Sequence, residues 1–362
     1  MKRRTLIQSM AAFSFWGGAA IAALPKKHLI IIILRGGMDG LAVVPPYGDP
    51  TFNSIRNRPS GMIELDSFFG LHPALSSWLP LWKKQELSII HAVGLTDASR
   101  SHFSAQDLLE QGDPRAKGGW LGRSIEHLFP STKVAALGHR VPMILHGAKN
   151  ALSMSPSRRK YASEELLSLA QMLYSEDRQF QSSLEQSLLI REQAGGHQRD
   201  KDRFATLRGL IKFIRQESSI GVIEIGGWDT HANQNKRIHQ RLKYLADSMQ
   251  VLRQELDQEW QNTAVLAVSE FGRSVEMNGT GGTDHGHGGA AFLLGGAISG
   301  GKIHSKWPGL RVSNRHKGRD LAIGIDIRSV YKGILKELYG ADRNDFNKVI
   351  FPSLSKYSSL QL

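Results

Sequence analysis

One stretch indicates the fold class of this 362-residue chain: Leu29-Ile30-Ile31-Ile32-Ile33-Leu34-Arg35-Gly36-Gly37-Met38-Asp39-Gly40. Its six aliphatic residues, ended by an arginine and two glycines, predict a strand that is buried on both faces, as in a parallel sheet. Similar apolar runs recur and predict further strands, at residues 87–93, 141–145, 220–225, 264–268 and 290–294.

Helical patterns lie between these runs. Residues 164–192, 203–214 and 236–260 carry apolar side chains three or four positions apart, which is typical of amphipathic helices. Strands that alternate with helices predict an α/β fold: a doubly wound, mostly parallel sheet with helices on both faces. Because no internal repeat is found, we expect one domain over residues 25–362.

The first 24 residues have the features of an export signal. Lys2, Arg3 and Arg4 precede an apolar stretch, and Ala20-Ile21-Ala22 fits a cleavage site. The paired arginines before Thr5 resemble a twin-arginine signal, so we expect the twin-arginine export machinery to carry the protein to the periplasm or otherwise out of the cytoplasm. An ordinary secretory signal or short anchor is the alternative. No later run reaches ~18 apolar residues, so no membrane span is expected after processing.

Composition excludes several classes of function. The chain has no Cys, which excludes disulfides, thiolate zinc sites and a Cys nucleophile. Its 46 Lys+Arg against 33 Asp+Glu give a net charge of +13, but these charges are scattered along the sequence. Scattered charge favours a solvated surface over a nucleic-acid-binding stripe.

Polar residues with glycine neighbours cluster at the ends of the predicted strands, where ligands bind in open parallel sheets. The candidate ligands of a metal ion are Asp39, Asp229, His231, Asn233, Asp284, His285 and His287. Imidazole with carboxylate suits zinc, manganese or iron, and additional oxygen ligands suit magnesium or calcium. The alternatives are that Asp39 is a turn residue, that Asp229 caps a helix, and that the histidines satisfy backbone groups of a glycine-rich loop.

Ser101 is a candidate nucleophile or anion-binding group. It precedes a predicted helix at residues 103–109, and a helix N-terminus offers free N–H groups and a positive dipole end. A plain N-cap is the alternative role for this hydroxyl. Arg100, His102 and Arg273 are candidates to bind an anion or to complete a metal shell.

These motifs together resemble the DUF1501 family. The resemblance is carried in order by residues 34–40, 100–103, 227–231, 269–273 and 283–288. Members typically have a twin-arginine signal, and the family is similar to a branch of the alkaline phosphatase and sulfatase superfamily. The resemblance therefore implies an alkaline-phosphatase-like fold and one or two divalent metal ions.

It also implies roles for individual residues. Ser101 would be the nucleophile, and the metal shell would comprise Asp39, Asp229, His231, Glu270, Asp284, His285 and His287. The chain departs from the superfamily pattern in two places. The first late pair is often Asp and His four apart, but position 233 is Asn and the His is at 231. The second pair is Asp-His, but here it reads Glu270-Phe271, so one metal site is expected rather than two.

The sequence thus predicts an exported metal-dependent hydrolase of phosphate or sulfate esters. Its substrate would be a small anionic ester or an anionic glycan, its cofactor a divalent zinc, manganese, magnesium or calcium ion, and Arg100 and Arg273 would bind the ester anion. The alternative is a non-catalytic envelope protein that retains the fold for binding.

Overall fold

A computed structural model describes residues 26–138, 140–154, 202–354 and 357–362, together with residues 169, 171, 172, 181 and 184. The predicted export signal and nearly all of the predicted helix 164–192 lie outside the described residues. In the part of the chain that the structure describes, no helix is both long and apolar enough to cross a membrane.

The strands form one large sheet and a short hairpin. Their bounds are β1 His28–Arg35, β2 Ile63–Glu64, β3 Gly70–Leu71, β4 Leu87–Gly94, β5 Lys133–Leu137, β6 Ala151–Met154, β7 Ser218–Gly226, β8 Thr263–Val268, β9 Gly289–Leu294, β10 Lys302–Ser305 and β11 Ile325–Asp326. The large sheet has the order β10-β4-β9-β8-β1-β7-β5-β6, with β11 also paired to β4, and β2 pairs with β3 separately.

The helices come mostly between the strands. In the described residues they are α1 Gly40–Val43, α2 Phe52–Ile55, α3 Leu79–Lys83, α4 His102–Gln111, α5 Trp120–Leu128, α6 Ala205–Gln216, α7 Gln234–Leu256, α8 Ile327–Tyr339 and α9 Arg343–Asp345. Helix α7 has the predicted amphipathic pattern, because Ile238, Leu242, Leu245 and Leu252 all lie on its buried side.

Helices cover the sheet on both faces. Alternate side chains of β1 point in opposite directions, so Ile30 and Ile32 pack in a core with residues of α6 and α7. Leu29 and Ile31 pack in the second core, with residues of α5 and α8. The predicted doubly wound, mostly parallel α/β class is therefore confirmed.

The prediction of a strand at residues 141–145 was wrong. Met143–Leu145 is a 3-10 helix that follows Pro142, and the strand of this region is β5 at Lys133–Leu137. Proline has no N–H to donate to a sheet ladder. The apolar residues Ile144 and Leu145 are still buried, in the helical layer above the sheet.

One strand runs against the others. β9 pairs antiparallel with both β4 and β8, whereas β1, β7, β5, β6, β10 and β11 form parallel pairs. The start of β9 therefore lies at the edge where the parallel strands end. This direction brings the loop at residues 281–288 to the same edge as the segments that follow β1, β7 and β8.

Candidate metal centre

The candidate site is built around Asp229, which comes three residues after β7. The backbone of this segment passes so close to the end of β1 that a Cβ at Gly36 would lie 2.4 Å from the nitrogen of Asp229. Gly36 also has a φ of +125°, so glycine is required there for two reasons. The Gly36-Gly37 pair of the first motif thus lets the two strand ends meet.

Three imidazoles surround the Asp229 carboxylate. Asp229 Oδ1 lies 3.0 Å from His231 Nε2 and 3.3 Å from His285 Nε2. Asp229 Oδ2 lies 3.5 Å from His102 Nε2. Residues from α4, from the segment after β7 and from the segment before β9 thus meet at one point, and we call these four residues the metal cluster.

The opposite ring nitrogen of each histidine is held by an oxygen. The partners of Nδ1 are Glu270 Oε1 for His102 (2.8 Å), Asp284 Oδ1 for His231 (3.2 Å) and the Arg100 carbonyl oxygen for His285 (3.0 Å). Carbonyl and ionised carboxylate oxygens only accept hydrogen bonds, so each Nδ1 carries the hydrogen. A neutral imidazole then directs the lone pair of Nε2 towards Asp229.

Lone pairs that face one another and a carboxylate repel unless a cation lies between them. His231 Nε2 and His285 Nε2 are 3.0 Å apart, and each lies 3.0–3.3 Å from Asp229 Oδ1. About 3.3 Å separates two ligands of a tetrahedral ion at 2.0–2.1 Å, and histidine ligands are usually oriented by such outer hydrogen bonds. The donor set therefore fits a divalent metal ion.

Among the described residues, His102, Asp229 and His285 form one group whose ligand atoms all lie within 4.8 Å of one another. His231 is not in that group, but its Nε2 lies 3.0 Å from both Asp229 Oδ1 and His285 Nε2. These residues are therefore the candidate ligands of a metal ion.

Arg273 lies beneath the cluster and not at its mouth. Its side chain is fully buried, and Nη1 donates to Asp229 Oδ1 at 2.6 Å. Three further donors are used by the Gly36 carbonyl oxygen and by Thr283. Burial acts to raise the pKa of Asp229, but the hydrogen bond and charge of Arg273 hold it below the ordinary value. The structure therefore makes Arg273 a positioning residue for Asp229, because its guanidinium is fully buried and four of its five N–H donors are already used.

The pKa of His285 lies below its ordinary value. Burial is the largest cause, and the charge of Arg273 acts in the same direction, against the hydrogen bond to the Arg100 carbonyl oxygen and the charge of Asp229. A neutral imidazole is the form that binds a metal ion.

Glu270 is a partner of the cluster and lies behind it. It is 1% exposed, and its Oε1 accepts from the Gly36 N–H at 2.8 Å and from Gln106 at 3.0 Å, besides its contact with His102. Burial opposes ionisation, but hydrogen bonds from Gln106, His102 and Gly36 lower its pKa. Glu270 and Asp284 thus orient histidines, whereas the sequence had suggested that they bind the metal directly.

Asp39 is buried in a separate network. Its Oδ1 accepts from the N–H groups of Leu41 and Ala42, which makes it the N-cap of α1. Its Oδ2 accepts from Arg56 Nη1 at 2.8 Å and from Gln234 Nε2 at 2.7 Å. The structure thus places Asp39 one layer below the cluster, where its two oxygens already have four donors.

His287 is also apart from the cluster. Its ring stacks on His316, with centroids 4.2 Å apart. Burial, followed by the His316 charge, lowers its pKa to about 4. Asn233 begins α7 in a left-handed conformation, and its side chain is exposed.

Ser101 is the N-cap residue of α4, and within the described residues its hydroxyl makes no capping hydrogen bond. It is exposed, and it stands between Arg100, whose carbonyl holds His285, and His102, which belongs to the cluster. The side chain of Arg100 is 49% exposed beside the same loop. The structure thus brings Arg100, Ser101 and His102 to the mouth of the site.

Other residues of the site were given no role from the sequence. Phe271, noted above only as a departure from the superfamily pattern, packs its ring against His102 and His285, with centroids 4.9 Å from each. Thr283 lies in the motif at residues 283–288 but was assigned no contact, and Arg56 and Gln234 were missed because nothing in their local sequence points to the sheet edge. Gln106 could have been found, since it lies four residues after His102 on the same helix face.

Several solved structures resemble this chain in fold. They include Ps i-CgsB in complex with k-i-k-neocarrahexaose (11% identity, 92% of this chain and 77% of that chain, TM-score 0.44), a protein in the alkaline phosphatase superfamily from Vibrio parahaemolyticus (7%, 87% and 66%, 0.41) and alkaline phosphatase from the Antarctic bacterium TAB5 (12%, 77% and 95%, 0.38). At these identities and TM-scores the likeness says nothing about activity. No curated protein matches this sequence.

The family model described as "Protein of unknown function (DUF1501)" matches residues 67–350, which is most of the chain. This match confirms the family that the motifs predicted. The matched region includes α4, the segment after β7 and the loop before β9, and so all four residues of the metal cluster. The chain therefore belongs to the DUF1501 family.

Proposed function

We propose that this protein is an exported, metal-dependent hydrolase of phosphate or sulfate esters. The observation that carries the proposal is the convergence of three imidazole Nε2 atoms on one carboxylate, with every Nδ1 hydrogen-bonded to an oxygen.

The donor set favours a borderline cation. Three nitrogens and one carboxylate suit zinc, manganese or iron better than magnesium or calcium, which prefer oxygen ligands. His102, Asp229, His231 and His285 would hold the ion. When bound, such an ion stabilises negative charge on an ester oxygen and lowers the pKa of a hydroxyl or water.

Ser101 is the nucleophile in this proposal. Its exposed hydroxyl lies at the N-terminus of α4, beside a residue of the cluster on one side and the Arg100 cation on the other. Its Oγ would bond to phosphorus or sulfur while the bond to the leaving alcohol breaks, and that alcohol would take up the serine proton. Water would then release the inorganic anion and restore Ser101.

Metal analysis tests the first part of the proposal. We expect about one equivalent of zinc, manganese or iron in protein purified without chelator, and a loss of at least tenfold in metal affinity in Asp229→Asn and in His231→Ala. Asp247→Asn and His127→Ala are matched controls, because these residues form ion pairs distant in sequence from the cluster. Equal metal content in all five proteins would contradict the assignment of the cluster.

Turnover tests the second part. The metal-loaded protein should hydrolyse an aryl phosphate or an aryl sulfate, and Ser101→Ala should lower kcat by at least 100-fold while metal content is retained. Metal binding without turnover of either ester would favour the alternative, a non-catalytic binding protein, which the packing of Phe271 against two of the histidines also fits. Export is tested by fractionating cells that express either the wild type or the double variant Arg3→Lys/Arg4→Lys. We expect the double variant to remain in the cytoplasm.

A further inference from the structure

A pair of stacked histidines lies beside the metal cluster. The rings of His287 and His316 are 4.2 Å apart with an interplanar angle of 18°. His287 is only 8% exposed, and His316 is half-buried. Within the described residues, neither ring has a hydrogen-bond partner at its nitrogens, and none of these nitrogens is among the fully buried atoms without a partner, so they reach solvent. The nitrogens of both rings are therefore open to a ligand or water from side chains that are otherwise largely packed.

The surroundings of the pair are cationic. Arg100 and Lys317 act electrostatically on the His287 ring, as does Asp320. The side chain of Arg319 is 42% exposed and donates from Nε to Asp320 Oδ1 at 2.8 Å, and Arg100 Nη1 lies 3.8 Å from Asp320 Oδ2. Arg100 and Arg319 therefore share one buried carboxylate, and Lys317, next to His316 in the chain, adds a further positive charge.

This cationic patch is joined to the metal cluster through His285. The Arg100 carbonyl oxygen accepts from His285 Nδ1 at 3.0 Å, and the Arg319 guanidinium donates to the His285 carbonyl oxygen. His287 itself is two residues further along the same loop. An anion at the histidine pair would thus lie next to a substrate bound at the cluster.

We infer that this patch is an anion subsite that binds a second phosphate or sulfate group of the same substrate. The residues of the anion subsite are His287, His316, Arg100 and Lys317. Two unpartnered imidazoles and two cations match the acceptor oxygens of a phosphate or sulfate, and charge-assisted hydrogen bonds of this kind are the stronger ones. The inference rests on the proposed function and narrows its substrate class to esters with more than one anionic group, such as a multiply sulfated or phosphorylated glycan.

Binding of a sulfated sugar tests the subsite without turnover. Metal-loaded protein is titrated calorimetrically with a trisulfated heparin disaccharide and with the unsulfated disaccharide. We expect only the sulfated sugar to bind, and we expect its Kd to rise at least fivefold in His316→Phe, which keeps the stacked ring but removes both nitrogens, and in Lys317→Gln. Lys302→Gln is the charge-matched control, since it lies at the start of β10, at the opposite edge of the sheet. Equal binding of both sugars, or an equal rise in Kd for the control variant Lys302→Gln, would overturn the inference.

Kinetics separate this inference from the proposed function. If the wild type hydrolyses esters, kcat/KM is measured for a bis-sulfated or bis-phosphorylated aryl ester and for the monoester. The substitution His316→Phe should lower kcat/KM for the bis-ester at least fivefold more than it lowers kcat/KM for the monoester. Equal falls for the two esters would overturn the subsite but leave the hydrolase standing. If no ester is turned over, the proposed function fails, and the titration still decides whether the subsite exists.

Discussion

The substitution Asp39→Asn distinguishes a metal ligand from a buried structural carboxylate. Asp39 Oδ1 accepts two backbone N–H groups, so the asparagine oxygen is expected to remain there. The new amide nitrogen then takes the place of Oδ2 and faces two donors, Arg56 Nη1 at 2.8 Å and Gln234 Nε2 at 2.7 Å. The change therefore removes one negative charge and places the N–H groups of the new amide against the N–H groups of Arg56 and Gln234.

The expected cost follows from burial. The side chains of Asp39 and Arg56 are 1% and 5% exposed, so Arg56 would be left as a buried charge without its partner. Removing one member of a buried pair costs about 3–5 kcal/mol. For a chain of this length, that corresponds to a fall in Tm of roughly 4–7 °C. We expect the variant that remains folded to keep its full metal content.

The assay combines thermal or urea unfolding with metal analysis of the folded fraction. Asp229→Asn is the matched variant, since it makes the same chemical change at a half-exposed carboxylate and should lose metal with a smaller loss of stability. The double variant Asp39→Asn/Arg56→Met should cost less than the sum of the two single changes. An Asp39→Asn protein of unchanged stability that has lost its metal would refute this reasoning and make Asp39 a ligand.

Three further predictions concern other parts of the molecule. Asp284→Ala should weaken metal affinity by about 10–100-fold in a chelator competition, because it removes the acceptor that orients His231, and Asp247→Ala should not. Burial lowers the pKa of His91 to about 4, while Nε2 donates to the Val44 carbonyl oxygen and Nδ1 accepts from the Ala92 N–H. The unfolded chain therefore binds up to one more proton than the folded chain between pH 6.5 and 4. The contribution of His91 to the free energy of unfolding is thus complete above pH 6.5 and falls by about 1.4 kcal/mol per pH unit between pH 6.5 and 4. Urea unfolding at pH 7 and pH 5 should show a smaller difference in the free energy of unfolding for His91→Phe than for the wild type. An equal difference would contradict the low pKa of His91. Lys332→Met should speed hydrogen exchange in residues 357–362, since Nζ donates to the carbonyl oxygens of Leu354 and Tyr357; unchanged exchange there would show that other contacts hold this segment.

The strands with long aliphatic runs were predictable from the sequence. Residues 29–34, 220–225 and 264–268 all lie within observed parallel strands, because a strand buried on both faces needs apolar side chains at every position. β5 was missed because Val134-Ala135-Ala136 is short and weakly hydrophobic, and the apolar run at residues 141–145 was predicted as a strand although Pro142 interrupts it. Both segments are buried, and burial alone does not determine whether a segment forms a strand or a helix.

The candidate site was predictable as a set of residue types but only partly as a set of contacts. Asp229, His231, His285 and His102 meet, as the sequence expected of polar residues at strand ends. Asp39 and His287 carry the same chemical groups at the same edge, yet they point into other networks. A sequence places a residue near an edge, but the direction of its side chain depends on the packing of neighbours distant in the chain.

By itself, the sequence determined the α/β class, the family and the edge of the sheet where chemistry is expected, because apolar runs and glycine-flanked polar residues are local properties. Only the tertiary structure decided which histidines share a carboxylate. The deciding feature is the antiparallel direction of β9, which brings the loop before that strand to the ends of β1, β7 and β8. Strand direction depends on pairing between segments far apart in the chain, and no local pattern of residues specifies it.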